Sequence, residues 1–370
     1  METMGKLIKM KVLIIGMRGL GVETAKNLIL AGPGSVDLFD PTTVSIADLG
    51  SNFYLKQEHV GNTTRAEATV GQLKELNPYV KVNVVTSATP ADMKNYNCVV
   101  VTENFFGSEG LLDLNDKCRE SRTGFILCET LGAAGYIFLD YGEKFMINDE
   151  NGEQTKSFIV MNITQDEKAT VTVHEDKRHT YQDGDYVKFV EVEGMTEINN
   201  TDPIKISGCT PHSFKLDLDT TKYTQYAGQG VVEDCKVPKE VSFHSLRESI
   251  QDPAASTAFG FLEPVNMSHF GMQRSEMLHL GIVAVHKFRD ANDRYPNNTD
   301  DDLTQVIAIA EEANKAMKEA GKPGVEEVDK DIVGKVAAYS TSSICALSAF
   351  FGGIVAQEIV KFTGKYTPLK

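Results

Sequence analysis

Three glycines and an aspartate are the residues of this chain most suggestive of chemistry. Gly16, Gly19 and Gly21 follow an apolar run, and Asp40 ends the next apolar run. A strand, a glycine-rich turn and a helix in this order can cradle the phosphates of a nucleotide, with an acid on its ribose. The spacing is GxxGxG, however, and Arg18 stands where close backbone approach to a pyrophosphate requires glycine. Taken alone, the turn favours packing over ligand binding, and an NAD-dependent oxidoreductase is kept as an alternative.

The elements around this turn indicate an α/β domain. From residue 11 to about 160, short apolar runs alternate with amphipathic stretches, which is typical of a parallel sheet covered by helices on both faces. The predicted strands are Val12–Ile15, Val36–Phe39, Val82–Val85, Cys98–Thr102, Phe125–Cys128 and Tyr136–Leu139. Stretches 64–76 and 108–121 have the spacing of covering helices. The glycine turn therefore follows the first strand of the predicted sheet.

The pattern changes near Asn162. Short alternating runs and turn residues between 164 and 250 predict a small β-barrel or sandwich, inserted into the first domain. Helical apolar spacing then predicts a bundle at 255–330. Its helices are expected at Met277–Asp290, Asp300–Ala320 and Val325–Ala338. The stretch from Ser340 to Leu369 is apolar on all sides up to Gln357, which predicts a buried helix. Segment 331–370 is expected to close the domain begun by residues 1–163.

Composition narrows the class of protein. A net charge of −15 and a pI near 5.0 argue against a general nucleic-acid binder, which needs a basic face. The sequence has neither a signal-peptide pattern nor 18 consecutive apolar residues, so we expect a cytoplasmic or nuclear protein without membrane association.

The cysteines and histidines suggest structural roles. None of the six cysteines is in a CxxC pair, which argues against a zinc ribbon. We expect reduced thiols, with Cys98 and Cys128 in the core and Cys209 and Cys235 as core or surface thiols. The histidines of "HEDKRH", at 174 and 179, have a spacing poor for metal ligation and are expected in a solvated loop.

Several stretches together resemble the N-terminal half of eukaryotic ubiquitin-activating enzyme. They are "VLIIGMRGLGVETAKNLILAG", "LFDPTTVSIADLGSNFYL", "RAEATVGQLKELNPYV", "HTYQDGDYVKFVEVEGMTEIN", "GQGVVEDCKVPKEVSFHSL" and "AFFGGIVAQEIVKFTGKYTPL". They occur in order along nearly all of the chain, which makes the resemblance more specific than any single motif. It implies a Rossmann-like adenylation domain of the ThiF type, interrupted by the β-rich first catalytic-cysteine half-domain and by the helical bundle.

The resemblance also implies that this is the inactive one of two adenylation units. Active units carry a GxGGxG loop, and Arg18 takes its third place. The arginine that reaches ATP phosphates corresponds to Ser51, the following lysine to Arg65 and the Mg²⁺-binding aspartate to Glu103. The vestigial nucleotide site would then consist of Gly16, Arg18, Gly19, Gly21, Asp40, Arg65 and Glu103. We expect it to hold neither nucleotide nor metal. Arg65 is expected to be exposed at a helix start, with contact to a nucleotide of the active unit as the alternative. Arg18 is expected to pair with the active unit or to cover the helix N-terminus.

Partners and cofactors follow from the family's reaction. Its active unit uses ATP and Mg²⁺ to adenylate the ubiquitin C-terminus, and a cysteine then carries ubiquitin as a thioester. The active unit and that cysteine correspond to sequence beyond Lys370. We therefore expect no catalytic residue and no cofactor in this chain, which would scaffold the active half and help to bind ubiquitin and ubiquitin-conjugating enzymes. A separate subunit of an activating enzyme for another ubiquitin-like protein is the nearer alternative.

Overall fold

The computed structural model describes residues 2–174, 178–252, 274–322 and 324–369. They form two compact units. The first comprises Met1–Phe145, Glu240–Gly364 and Pro368–Lys370, and the second comprises Met146–Lys239 and Lys365–Thr367. The predicted start of the bundle at 255 lies outside the described residues.

A six-stranded sheet forms the centre of the first unit. Its strands are β1 (Lys11–Ile15), β2 (Ser35–Phe39), β3 (Lys81–Val84), β4 (Cys98–Val101), β5 (Gly124–Leu131) and β6 (Ala134–Asp140). The order is β3-β2-β1-β4-β5-β6, so β1 and β4 meet where the direction of winding reverses. Ligands of open α/β sheets bind outside the carboxyl ends of strands at such a point. The glycine turn follows β1 and therefore lies there.

Five of the strands are parallel, and the sixth is not. The sequence predicted a parallel sheet, but β6 pairs antiparallel with β5, with Leu131 opposite Ala134. Gly132 makes this hairpin possible, because its φ of 62° belongs to the left-handed region that favours glycine.

Nine helices lie in the described part of the first unit. They are α1 (Glu2–Lys9), α2 (Gly19–Ala31), α3 (Arg65–Glu75), α4 (Gly107–Glu120), α5 (Leu246–Gln251), α6 (Arg274–Asn292), α7 (Asp300–Glu319), α8 (Lys330–Ala338) and α9 (Cys345–Lys361). Apolar faces of α6, α7 and α8 pack into one core that also includes Leu131 of β5. The third predicted bundle helix began at Val325, but α8 begins only after Asp329, whose carboxylate accepts the Asp331 and Ile332 amides.

The predicted all-round burial of the last helix is only partly correct. α9 packs closely along α2, and Gly352 allows this because a β-carbon there would lie 2.7 Å from that of Glu23. Its N-terminal part nevertheless leaves Phe350 62% exposed. None of the helices in the described ranges combines the length and apolar character needed to cross a membrane.

The second unit is a closed barrel of six strands. These are β8 (Ser157–Ile163), β9 (Thr170–Val173), β10 (Tyr186–Val190), β11 (Ile204–Ser207), β12 (Ser213–Leu216) and β13 (Val231–Asp234). Two further strands, β7 (Phe145–Ile147) and β14 (Lys239–Val241), lie where the chain passes between units. The sequence predicted a barrel or sandwich from 164, whereas the barrel already begins with β8. The four expected domain ranges stay a prediction.

Two side chains of the barrel correct or refine the sequence analysis. His179 was expected in a solvated loop but is buried, because the rings of Phe158, Tyr181 and Phe214 surround its imidazole. Cys209 is half-buried, and burial together with Asp183 raises the pKa of its thiol to about 12. His179 and Cys209 therefore lie in environments typical of structural residues.

Cys98 and Cys128 are fully buried in the sheet of the first unit, as expected. Burial raises the pKa of both thiols. A protonated thiol is a poor nucleophile, so these two cysteines are core residues.

Candidate functional site

The glycine turn is shaped by packing between β1 and α2. Gly16 has a φ of 96°, and a β-carbon there would lie 2.6 Å from that of Glu103. A β-carbon on Gly21 would lie only 1.9 Å from the Gly16 carbonyl oxygen. Both distances are far below contact distance, so these two positions require glycine for reasons internal to the fold.

The space beside the start of α2 is filled by the chain itself. A β-carbon on Gly19 would lie 2.9 Å from the Ser51 β-carbon and 3.1 Å from the Ser348 hydroxyl oxygen. Ser51 lies at the end of a 3₁₀ helix, Ile46–Gly50, and Ser348 is on α9. At Gly19, the space into which a phosphate could approach the backbone is thus occupied by two serines of the same chain.

Both carboxylate oxygens of Asp40, which follows β2, accept hydrogen bonds from the backbone. Its Oδ2 accepts the Met17 amide at 2.8 Å, and its Oδ1 accepts the Thr42 amide at 2.8 Å. The Met17 carbonyl in turn accepts the Asn52 side-chain amide at 2.9 Å. Asp40 therefore stabilises the glycine turn through its hydrogen bond with the Met17 amide.

Arg65, the first residue of α3, lies at the centre of the site. The sequence predicted an exposed side chain, but it is only 6% exposed. Its Nη1 lies 2.8 Å from Glu103 Oε2 and 3.3 Å from Asp40 Oδ2, and its Nε lies 3.1 Å from Asp48 Oδ2. Three carboxylates from distant segments compensate the cost of burying the guanidinium, which is why the prediction of exposure was wrong.

Arg18 pairs within its own chain. Its Nε lies 3.5 Å from Asp48 Oδ1, and its side chain is 35% exposed. It stands at the N-cap of α2 without capping the helix through its side chain. The salt bridge to an active unit, which was one of two predictions for Arg18, stays a prediction.

The charges of this cluster do not balance. Arg18 and Arg65 face Asp40, Asp48 and Glu103, which leaves one surplus negative charge when all five are ionised. We call these five residues the Arg65 cluster.

The surplus negative charge disfavours the ionised form of Glu103. Burial and the neighbouring aspartates, opposed by Arg65, raise the pKa of Glu103 to about 7. Burial also disfavours the Asp48 carboxylate, but hydrogen bonds from Ser45 and the charge of Arg65 outweigh it, and the pKa of Asp48 lies below its ordinary value. Burial lowers the pKa of Arg65, yet its three acidic neighbours raise it above the usual value. Arg65 therefore stays charged, and Glu103 takes up protons near neutral pH.

Sequence reasoning brought together most of this site but missed Asp48. Of the five residues of the Arg65 cluster the resemblance named four, and Asp48 lay within the quoted stretch "LFDPTTVSIADLGSNFYL" without a role of its own. A local signal was present, because Ser45 and Asp48 form a capping box at the start of the 3₁₀ helix. Within the described residues, no group of three or more His, Cys, Asp or Glu side chains is arranged to hold a metal ion.

Curated relatives match the chain over its whole length. Ubiquitin-like modifier-activating enzyme 1 is 35% identical over 371 residues in Oryctolagus cuniculus and 35% over 373 residues in Homo sapiens. Ubiquitin-activating enzyme E1 1 of Triticum aestivum is 38% identical over 374 residues. In each case the match covers 100% of this chain and 34% of the relative. The chain thus spans about one third of the length of the curated relatives that it matches.

Two domain families identify the parts that interrupt the sheet domain. The ubiquitin-activating enzyme E1 FCCH domain matches residues 166–236, and the E1 four-helix bundle matches residues 237–314. Both domains, and the match over the whole chain, are to ubiquitin-activating enzymes E1. The resemblance seen in the sequence is therefore confirmed, and an NAD-dependent oxidoreductase is not favoured.

A solved structure gives little more. The crystal structure of E. coli MccB with succinimide covers 37% of this chain and 43% of its own, with 19% identity and a TM-score of 0.32. A likeness this slight carries no argument about this chain. The Rossmann-like sheet, closed barrel and helical bundle themselves confirm the predicted fold class.

Proposed function

We propose that this chain is the non-catalytic adenylation half of a ubiquitin-activating enzyme. In this proposal it supports a second, active adenylation unit that uses ATP and Mg²⁺ to adenylate the ubiquitin C-terminus. The thioester formed next would deliver ubiquitin to conjugating enzymes in the cytoplasm and nucleus. One observation carries the proposal: the buried guanidinium of Arg65 is bound by three carboxylates of its own chain.

The charge of the site opposes triphosphate binding. Adenylation requires cations aimed at the phosphates, where they stabilise the charge that develops in the transition state. Here Arg65 and Arg18 face acids of the same cluster, and Ser51 stands where the resemblance places a phosphate-binding arginine. The net charge of the cluster is negative with Glu103 ionised and zero with Glu103 protonated, so the cluster offers phosphate no net positive charge. ATP and Mg²⁺ therefore do not fit the residues present, and no catalytic step is assigned to them.

An exposed apolar surface beside the turn supports the scaffolding role. The 3₁₀ segment and the N-terminus of α9 adjoin there, because the Cys345 thiol lies 2.8 Å from the Gly50 carbonyl oxygen. Large apolar side chains on and beside these two segments are exposed, namely Ile46 (76%), Phe53 (54%), Ile344 (44%) and Phe350 (62%). Large apolar groups exposed together mark interaction surfaces. A second adenylation unit is the partner that the proposal assigns to this surface, which we call the α9 surface.

The first test is ATP–pyrophosphate exchange. The purified chain, given ubiquitin, ATP and Mg²⁺, is expected to exchange no label and to gain no thermal stability from millimolar ATP. The same thermal assay with millimolar NAD tests the oxidoreductase alternative through the stabilisation that any ligand of the folded state produces. Robust exchange by the chain alone would overturn the proposal.

The second test addresses the α9 surface. The chain is co-expressed with the remaining C-terminal part of a related E1, and complex formation is measured by affinity capture of one tagged partner. Phe350→Asp is expected to weaken the complex by about tenfold or more, because it places a charge in an apolar interface. Tyr79→Asp is the matched control, since Tyr79 is 92% exposed and lies before β3, at the opposite end of the sheet. Equal capture of both variants would contradict the assignment.

A further inference from the structure

The loop after β4 is attached to the glycine turn. The Thr102 hydroxyl donates to the Gly16 carbonyl at 2.9 Å, and the Glu103 amide donates to the Ile15 carbonyl at 3.3 Å. Glu103 also packs against the open face of Gly16 and binds Arg65. A displacement of this loop therefore displaces both the turn and one acid of the Arg65 cluster.

Helix α6 of the bundle holds the same loop at two points. Arg289 Nη1 donates to the Asn104 carbonyl at 3.3 Å. The next residue, Asp290, accepts the Ser108 amide at 3.1 Å, in the first turn of α4. A carboxylate at that position is favourable because helix N-termini carry partial positive charge. We call Arg289 and Asp290 the α6 clamp.

The loop between these two points is stiffened by Asn104. Its Oδ1 accepts the Phe106 amide at 2.8 Å, and its Nδ2 donates to the Gly107 carbonyl at 3.1 Å. Asn104 itself is 7% exposed. These two hydrogen bonds close the turn, whose other residues are half-buried, so we expect a displacement at one end of the turn to be transmitted to the other.

Arg289 pairs with Tyr295 and lies one helical turn from a buried polar group of side chains. Its Nη1 also donates to the Tyr295 hydroxyl at 3.2 Å. One helical turn earlier, His286 Nε2 lies 2.7 Å from Glu129 Oε2, which also accepts the Tyr136 hydroxyl at 3.0 Å. Glu129 is buried on β5. Buried networks have few alternative arrangements because an unpaired polar group there is costly.

We propose that the α6 clamp couples the helical bundle to the glycine turn. Arg289 and Asp290 are positioning residues that fix the loop from Asn104 to Ser108, and this loop fixes Gly16 and the Arg65 cluster. A partner that shifts α6 therefore changes the turn without touching it. This coupling is a property of the described geometry and holds whether or not the turn binds a nucleotide.

Amide hydrogen exchange tests the direction of coupling. Arg289→Gln is expected to speed exchange by roughly tenfold in residues 102–108 and in the first turn of α3, because local opening follows the loss of local contacts. Arg294→Gln is the matched control, since Arg294 pairs with Asp302 within the bundle. It is expected to speed exchange in the bundle alone. Confinement of the Arg289→Gln effect to the bundle would overturn the proposal.

A double-mutant cycle tests the energetics. Arg65→Gln and Arg289→Gln combined are expected to lower Tm by clearly less than the sum of their separate effects, because contacts in one network do not add. Arg65→Gln with Arg294→Gln is expected to be additive. Additivity in both pairs would refute the coupling. Arg289→Lys, which keeps the charge but loses the planar fork, supplies the same comparison in case Arg289→Gln does not fold.

Discussion

Replacing Arg65 with glutamine is the most direct test of how the turn is stabilised. The side chain is 6% exposed and bound by three carboxylates, of which those of Asp40 and Asp48 are fully buried. Removing one partner of a buried ion pair leaves uncompensated charge and costs about 3–5 kcal/mol. For a unit of this size, such a loss lowers Tm by about 10 °C. Arg65→Gln should therefore destabilise the first unit severely at pH 8.

The cost should depend on pH in a defined direction. Without Arg65, Glu103 loses its main counter-charge, so its pKa rises above the value of about 7 that it has in the intact cluster. A protonated Glu103 removes one of the stranded charges. The difference in Tm between Arg65→Gln and the unmodified chain should therefore be larger at pH 8 than at pH 6.

Differential scanning calorimetry or circular dichroism suits the measurement, because the chain has no tryptophan. Arg247→Gln is the control: Arg247 on α5 is 44% exposed and lies 3.6 Å from Asp116, and exposed pairs contribute 1 kcal/mol or less. A Tm for Arg65→Gln within about 2 °C of this control, or a loss that does not change between pH 6 and pH 8, would refute the reasoning.

Three further predictions concern the turn and the barrel. Gly21→Ala should cost about 3 kcal/mol or more of folding stability, because its β-carbon would overlap the Gly16 carbonyl. Gly71→Ala on α3 is the control and should stabilise the chain by up to about 1 kcal/mol, since nothing lies within 4 Å of its β-carbon. Urea unfolding of both variants measures the difference. Glu103→Gln should gain stability relative to the unmodified chain as pH rises from 5 to 8. The reason is that folding raises the pKa of Glu103 from 4.5 to about 7, a shift that costs the unmodified protein about 3 kcal/mol of stability at high pH. Stability curves of the two proteins that stay parallel between pH 5 and pH 8 would contradict this prediction. Phe214→Ala should cost about 3–5 kcal/mol and lower only the barrel transition in calorimetry, because Phe214 is fully buried in the barrel core.

The sheet was well predicted because its signal is local. All six predicted strands are present, within a few residues of their observed bounds. Short continuous apolar runs bounded by turn residues are typical of strands buried on both faces of a sheet. The first strand of the barrel was missed for the opposite reason. β8 exposes Ile159 (58%) and Met161 (52%), so its apolar residues do not alternate as a half-buried strand would require.

The site was only partly predictable, because its chemistry is not local. Asp40, Asp48 and Glu103 lie far from Arg65 in the chain, and nothing near Arg65 in sequence indicates that three acids surround it. An arginine at a helix start is ordinarily solvated, and that expectation failed here. Packing accounts for Gly16 and Gly21, because a tight turn and a close helix approach impose their own sequence pattern. The expectation that the turn holds no nucleotide stays a prediction.

The contact between Gly21 and the Gly16 carbonyl also bears on how such turns change during evolution. Because this contact excludes any side chain irrespective of ligand, selection for folding alone is enough to keep both glycines. A nucleotide site that loses its ligand then keeps its glycine fingerprint while its cations are free to drift. For turns of this class, the arginines and lysines, and what they pair with, are the better record of whether a site still works.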